Sequence, residues 1–181
     1  SGNYAIVGAH QEDDADGIDS GKAYIYNVST GALVDTINNP NAYGTSTNDQ
    51  FAYSVAISGN YAIIGAFGEN DAGGTTSGKA YIYDVSLGAI VHTLDNPNPY
   101  GTSLNDYFGD KVDISGNYAI VNAVLEDDAS GTSSGKAYIY NVSTGALVHT
   151  LDNPNPFSTS TSDTFGNQVT ISGNYVAAGA Y

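Results

Sequence analysis

The stretch SGNYAIVGAH at residues 1–10 returns as SGNYAIIGAF at residues 58–67, as SGNYAIVNAV at residues 115–124 and as SGNYVAAGAY at residues 172–181. The spacing is 57 residues each time, and the second and third copies are identical at 39 of 57 positions. A fixed period of this length indicates a tandem repeat in which each unit is one supersecondary module. We therefore divide the chain into repeats at residues 1–57, 58–114 and 115–171, with residues 172–181 starting a further repeat.

The repetition also bears on function. A catalytic site needs one unique set of side chains, which near-identical modules do not favour, so we expect no enzyme. The sequence begins and ends inside a module. Because a module that cannot bury its apolar face alone needs neighbours on both sides, we expect the packing to continue, either along a longer polypeptide or into neighbouring copies of the chain.

Composition narrows the class of protein. The chain has 19 acidic residues against four lysines, for a net charge of −15, which disfavours binding to nucleic acid or to anionic membrane surfaces. It has no cysteine, so disulfides and thiolate metal sites are excluded. No apolar run approaches the roughly 20 residues of a membrane span, so we expect no membrane insertion. With 22 glycines and 15 tyrosines, the composition favours a secreted, extracellular all-β protein.

One module contains four short segments with the two-residue alternation of half-buried strands. In the second unit they cover residues 51–57, 61–66, 79–85 and 89–94. Ser58-Gly59-Asn60 joins the first two segments, with Gly-Asn supplying the positive φ of a tight hairpin, and Ser86-Leu87-Gly88 joins the last two. We predict all-β, four-stranded antiparallel blades, propeller-like, forming a partial ring or an open superhelical array; a β-solenoid fits this period less well. The long connections should then share one end of the sheets.

The order of motifs resembles the FG-GAP family of propeller repeats, in the form found in arrays of bacterial extracellular proteins. The resemblance rests on FGDKVDISG at residues 108–116, YAI at 118–120, an acidic loop, and SGKAYIY at 134–140. The "FG" pair falls at Phe51, Phe108 and Phe165, which we take as the starts of the first strands. Integrin-like members carry a DxDxDG calcium loop between the first two strands. Here the short Ser-Gly-Asn hairpin stands in that place, so that calcium site is not implied.

Acidic residues gather instead in the loop between the second and third strands. Calcium prefers six to eight oxygen ligands, and this loop offers candidate metal ligands, at Glu12, Asp14, Asp16, Asp19, Glu69, Asp71, Glu126 and Asp128. The second copy has fewer acids than the first, and the EF-hand spacing is absent. Two interpretations stay open: a calcium site, or a solvated acidic loop that keeps the array soluble.

Other recurring side chains have simpler interpretations. Lys22, Lys79 and Lys136 share one repeat position, where we expect salt bridges to loop carboxylates. The paired tyrosines of each third strand, such as Tyr81 and Tyr83, project to one face, where they either pack between adjacent blades or stack against sugars. No histidine recurs in all three copies, so we expect surface positions rather than metal ligation.

Asn27 and Asn141 begin N-glycosylation sequons at a hairpin, a surface position open to modification. The second copy has Asp84 there.

Together these features favour a structural or adhesive extracellular protein that assembles head to tail into a surface layer, matrix or filament. The alternative is a propeller module that binds glycan or a partner protein through its long-loop end, with calcium as a possible cofactor.

Overall fold

The computed structural model describes residues 1–15, 17–40, 45–72, 74–97, 102–129, 131–154 and 160–180. These residues form four antiparallel sheets. The first sheet is β1 (Tyr4–Ala9), β2 (Lys22–Asn27) and β3 (Leu33–Asn38). The second is β4 (Ser54–Ser58), β5 (Tyr61–Ala66), β6 (Lys79–Asp84) and β7 (Ala89–Asp95). The third is β8 (Phe108–Ser115), β9 (Tyr118–Ala123), β10 (Lys136–Asn141) and β11 (Leu147–Asp152), and the fourth is β12 (Gln168–Ser172) and β13 (Tyr175–Gly179).

Within each sheet, strands that follow one another in sequence are neighbours, so the second and third sheets are four-stranded meanders. This confirms the predicted all-β class and the four-stranded antiparallel unit. The first strands also follow one another from sheet to sheet, because β4 contacts β8 and β8 contacts β12. The sheets are therefore stacked in sequence order, with equivalent strands side by side.

The predicted start of the first strand is wrong in two sheets. β8 begins at Phe108 as expected, but β4 begins at Ser54 and β12 at Gln168, each three residues after its phenylalanine. The backbone explains the shift, because Ala52 has φ of 66° and Gly166 has φ of 84°, and a left-handed residue at this point interrupts the extended chain. In the third sheet Gly109 has φ of 86° at the same place, and the pairing of β8 with β9 shifts register after Phe108.

The tight hairpins lie where the sequence placed them. Gly59 and Gly88 have φ of 59° and 64°, the left-handed conformation that favours glycine. Asn60 does not share it, so the glycine alone supplies the positive φ that we had assigned to the Gly-Asn pair.

Apolar side chains fill the space between successive sheets. Tyr81 of the second sheet is fully buried against Phe51, with ring centroids 5.6 Å apart, in a cluster that includes Ala23 and Ile25 of the first sheet. The next contact repeats this arrangement, with Tyr138 and Phe108 at 5.9 Å beside Ile82. The prediction that the paired tyrosines pack between blades is thus confirmed, and sugar stacking on Tyr81 or Tyr138 is excluded by their burial.

Hydrogen bonds at the hairpin end repeat with the same period. The Gly59 amide donates to Ser1 Oγ at 3.2 Å, the Gly116 amide to Ser58 Oγ at 3.0 Å, and the Gly173 amide to Ser115 Oγ at 3.0 Å. One contact pattern therefore joins each sheet to the next. The described part of the chain holds no apolar helix of membrane-spanning length.

Candidate functional site

The long connections meet at one end of the sheets, as the strand order predicted. The acidic loop at residues 67–78 and the following connection at residues 96–107 are joined by backbone hydrogen bonds. The Asn105 amide donates to Thr75 O at 2.9 Å and the Phe108 amide to Ser77 O at 2.9 Å. Phe51 and Phe165 make the same bond to Ser20 and Ser134, at 2.9 and 2.8 Å. This long-loop end carries most of the candidate site residues.

The three glutamates of the chain all occupy one repeat position, at Glu12, Glu69 and Glu126. Glu69 and Glu126 are fully buried, so the interpretation of a solvated loop does not hold for these two residues. Tyr81 donates to Glu69 Oε2 at 2.5 Å, and the Tyr138 hydroxyl lies 2.7 and 2.6 Å from the two oxygens of Glu126. Burial raises the pKa of Glu126 to about 8, with the nearby Asp106 carboxylate acting in the same direction.

Glu12 lies in a different environment. Its side chain is 39% exposed, Lys22 donates to its Oε1 at 2.7 Å, and Tyr24 donates to its Oε2 at 2.6 Å. The hydrogen bond from Lys22 and then that from Tyr24 hold the pKa of Glu12 below its ordinary value. One repeat position therefore carries a partly exposed carboxyl group with a lowered pKa in the first copy and a buried one with a raised pKa in the third.

Asp14, Asp71 and Asp128 fasten the acidic loop to the connection that follows it. Each accepts a bond from the backbone amide three residues later, at 2.8 Å from Gly17 and at 2.9 Å from Gly74 and from Gly131. Each also accepts a hydrogen bond from the hydroxyl of the serine 32 residues later, at 2.9 Å from Ser46 and at 3.0 Å from Ser103 and from Ser160. These carboxylates act as structural acceptors within the loop.

The residues directly before these aspartates also have a structural role. Asp13, Asn70 and Asp127 accept a bond from the amide six residues later, at 2.9, 2.8 and 2.8 Å. The donors Asp19, Thr76 and Ser133 all have positive φ, between 51° and 54°. Asparagine serves as well as aspartate at this position, so the bond does not require a charge.

The metal-site prediction remains a prediction. Asp19 enters these contacts through its amide, and Asp16 lies outside the described residues. No group of three or more metal-ligating side chains converges within the part of the chain that the structure describes. The oxygens of Glu12, Asp14, Glu69, Asp71, Glu126 and Asp128 that the structure places accept hydrogen bonds from the protein itself.

A second set of buried acids was missed by the sequence analysis. Asp49 and Asp106 are almost fully buried. Each accepts a hydrogen bond from an asparagine side-chain amide, Asp49 from Asn39 at 2.9 Å and Asp106 from Asn96 at 2.8 Å. Burial raises the pKa of Asp49 to about 6 and that of Asp106 to about 7. Asn153 and Asp163 repeat the pair at 2.7 Å. The available signal was invariance, since both residues recur in all three copies while the acidic loop varies.

The lysines follow the strand register rather than the loop. Lys22 does bind the loop carboxylate of Glu12, as predicted. Lys79 and Lys136 instead bind Asp95 and Asp152, the residues directly opposite them on the neighbouring strands. The predicted loop salt bridge is therefore wrong for these two lysines. The first copy differs because the residue opposite Lys22 is Asn38, which offers no charge.

A row of aromatic rings crosses the long-loop end and does not repeat. His10, Tyr53, Phe67 and Tyr107 contact one another edge to face, with successive centroids 5.1, 4.7 and 5.4 Å apart. Tyr53 is 40% exposed, and the Lys111 ammonium lies 4.8 Å from its ring centroid. The position of Tyr53 is held by Asp110 and Asn167 in the later copies. This aromatic row is thus a unique feature in an otherwise repetitive chain.

The sequon asparagines shape the hairpins between third and fourth strands. Asn27 Oδ1 accepts from the Ser29 amide at 3.0 Å and from its hydroxyl at 2.7 Å, and Asn141 accepts the same bonds from Ser143 at 3.0 and 2.8 Å. Asp84 does this in the second copy. Only the side-chain oxygen is used, so glycosylation at the nitrogen is compatible with this turn. Occupancy stays a prediction.

Comparison with known proteins supports the repeat assignment. Residues 41–83 and 99–140 match the model of the FG-GAP repeat family. One similar solved structure is that of Saccharomyces cerevisiae Sqt1, with 15% sequence identity and a TM-score of 0.47 over 75% of this chain. The chain spans 29% of the length of that protein. No curated protein matches the sequence. Residues 41–83 and 99–140 are therefore FG-GAP-type repeats, and these two matches overlap the two four-stranded antiparallel sheets.

Proposed function

We propose that this chain is a non-catalytic, extracellular repeat protein with a structural or adhesive role, whose modules join head to tail in a surface layer, matrix or filament. The observation that carries the proposal is the recurrence of one sheet-to-sheet contact. Tyr81 packs in one cluster with Ile25 of the first sheet, and Tyr138 packs in one cluster with Ile82 of the second, so each sheet presents to the next the same surface that it received from the sheet before it. Such a contact closes into a ring or propagates.

The first sheet carries the unpaired counterpart of this contact. Val142 of the third sheet is 1% exposed because it packs against the second sheet, whereas the equivalent Val28 is 61% exposed. Tyr26, equivalent to the buried Tyr83 and Tyr140, is half-buried. A further sheet would bury this face, whether it belongs to the same polypeptide or to another copy.

Self-association tests the proposal. Analytical ultracentrifugation over a hundredfold range of concentration should show growth beyond the monomer, and Val28→Ser with Tyr26→Ser should reduce it. Leu87→Ser is the matched control, because Leu87 is 70% exposed on a hairpin and its loss removes apolar surface elsewhere. A chain that stays monomeric throughout, or one that loses association equally with Leu87→Ser, contradicts assembly through this face.

The aromatic row favours a second candidate, a module that binds glycan at the long-loop end. Partly exposed rings of this kind offer apolar contact to a sugar, with Asp110 and Lys111 beside Tyr53 as polar partners, joined to each other at 3.1 Å. A glycan array with native protein and with Tyr53→Ala, in calcium and in chelator, tests this. Binding that is lost in Tyr53→Ala supports the candidate, and a blank array for the native protein contradicts it.

Calcium dependence has its own measurement. A cation site in the acidic loops predicts a higher melting temperature in calcium than in sodium chloride of equal ionic strength, because binding to the folded state stabilises it. Equal melting temperatures indicate that only screening acts.

A further inference from the structure

The contact between the first and second sheets includes a hydrogen bond that the next contact lacks. Tyr83, the second tyrosine of β6, donates its hydroxyl to Asp35 Oδ2 on β3. Gly88 of the following hairpin covers the pair, since a Cβ there would lie 3.6 Å from the Asp35 oxygen and 3.8 Å from the Tyr83 hydroxyl. The outermost strand of one sheet thus supplies an acceptor to a tyrosine of the next.

The equivalent tyrosine in the third sheet has no such acceptor. Tyr140 is 4% exposed, and its hydroxyl is buried with no hydrogen-bond partner. The residue equivalent to Asp35 is His92. Its Nε2 lies 3.2 Å from Ser143 O, and its ring fills the space beside Gly145, where a Cβ would lie 2.8 Å from ring atoms. His92 therefore binds the hairpin backbone and leaves the tyrosine hydroxyl unsatisfied.

We propose that the residue at this position of the outermost strand, Asp35 in the first sheet and His92 in the second, determines how strongly a sheet holds the next one. An acidic residue matches a tyrosine in the following sheet, because a carboxylate accepts its hydroxyl in a charge-assisted bond. A histidine at this position fits a following sheet that lacks the tyrosine hydroxyl at least as well as an acidic residue does. At this position the contact between the second and third sheets accordingly lacks the charge-assisted bond that the contact between the first and second sheets has.

Phenylalanine substitutions separate the two contacts without removing the ring. Tyr83→Phe leaves the half-buried Asp35 carboxylate without its donor, and should lower the folding equilibrium constant about tenfold, since bonds to charged groups exceed neutral ones. Tyr140→Phe removes a hydroxyl that has no partner, so it should leave the constant unchanged or raise it. Chemical denaturation of the full chain measures both, and hydrogen exchange assigns the effect to β6 or β10.

The reciprocal test gives Tyr140 an acceptor. His92→Asp should raise the folding equilibrium constant, and the gain should vanish in the double variant with Tyr140→Phe. His149→Asp is the control for added negative charge, because His149 holds the equivalent exposed position in the third sheet. The proposal is overturned if the two phenylalanine variants lose equal stability, which would mean that a water satisfies Tyr140. A gain that persists in the double variant also overturns it.

Discussion

Glu12 and Glu126 occupy the same position in two copies of one repeat, yet the pKa values of their carboxyl groups are shifted in opposite directions. Glu126 is fully buried under Tyr138, and burial raises its pKa to about 8. Glu12 is partly exposed and bound by Lys22, and its pKa is lowered. The sequence around the two residues is similar, so the difference comes from what covers each loop.

The connection that precedes each sheet provides the cover. The Leu125 amide, next to Glu126, donates to Asp106 O at 3.2 Å, and the Gly68 amide, next to Glu69, donates to Asp49 O at 3.1 Å. Within the described residues, the Gln11 amide next to Glu12 makes no bond of this kind. The comparison shows that the burial and the pKa of a carboxyl group in one sheet depend on the connection that packs over it from the preceding sheet. Identical residues at one repeat position therefore differ where that packing differs.

The largest effect should come from removing the ring that closes the buried site. Tyr138→Ala should destabilise the folded chain by about 3–5 kcal/mol, because it leaves a cavity between the second and third sheets and removes the partner of Glu126. Tyr24→Ala, at the same repeat position in the first sheet, should cost less than half as much. Urea unfolding of the two variants measures the difference. Equal losses would show that the first sheet is covered as fully as the third.

The raised pKa values predict a pH dependence of stability. Asp49, Asp106 and Glu126 keep protons in the folded state up to about pH 6, 7 and 8, but lose them near pH 4 when unfolded. The folded state thus holds more protons between about pH 4.5 and 8, so stability is fully present at the acidic end and falls as pH rises. We expect the free energy of unfolding to be at least about 2 kcal/mol higher at pH 5 than at pH 8.

Glu126→Gln checks the origin of this slope. Glutamine resembles the protonated acid, so the variant should unfold like the native chain at pH 5 and lose less stability by pH 8. Glu12→Gln should leave the slope between pH 5 and 8 unchanged, because Glu12 is ionised throughout that range. A native protein that is more stable at pH 8 than at pH 5 would contradict the burial of these carboxyl groups.

The strand pattern was readable from the sequence because it depends on local alternation. Tyr81 and Ile82 point to opposite faces of a strand whatever surrounds it, so the strands, the hairpins and the tyrosine packing could be predicted. The salt-bridge partner of Lys79 could also have been predicted, since the strand register places Asp95 opposite it. The raised pKa of Glu126 could not be predicted, because it depends on a connection that packs over this residue from the preceding module.

A smaller effect is expected at the hairpins, where all copies are alike. Asn141→Ala should cost about 0.5–1.5 kcal/mol, because the Ser143 and Thr144 amides lose their shared acceptor. Asn141→Asp should be nearly neutral, since Asp84 makes the same turn in the second sheet. Thermal unfolding of the unglycosylated chain compares them. If the aspartate variant loses as much as the alanine one, the asparagine has a role beyond the turn.

The smallest effect concerns the partner of Lys22. Asn38→Asp would place opposite Lys22 the carboxylate that Lys79 and Lys136 already have. Lys22 should then turn from Glu12, and the pKa of Glu12 should rise toward its ordinary value. Carbon-detected NMR of the variant reads this shift. An unchanged pKa would show that Tyr24, rather than Lys22, sets the ionisation of Glu12.

The most direct test of the account is a titration of the three glutamates in the native chain. Because glutamate occurs only at residues 12, 69 and 126, glutamate-selective ¹³C labelling gives three side-chain carboxyl signals, which substitution by glutamine assigns. The account predicts that Glu126 titrates near pH 8 and Glu12 below its ordinary range. Glu12 and Glu126 titrating together near pH 4.5 would contradict the claim that packing against the preceding module sets the chemistry of each sheet.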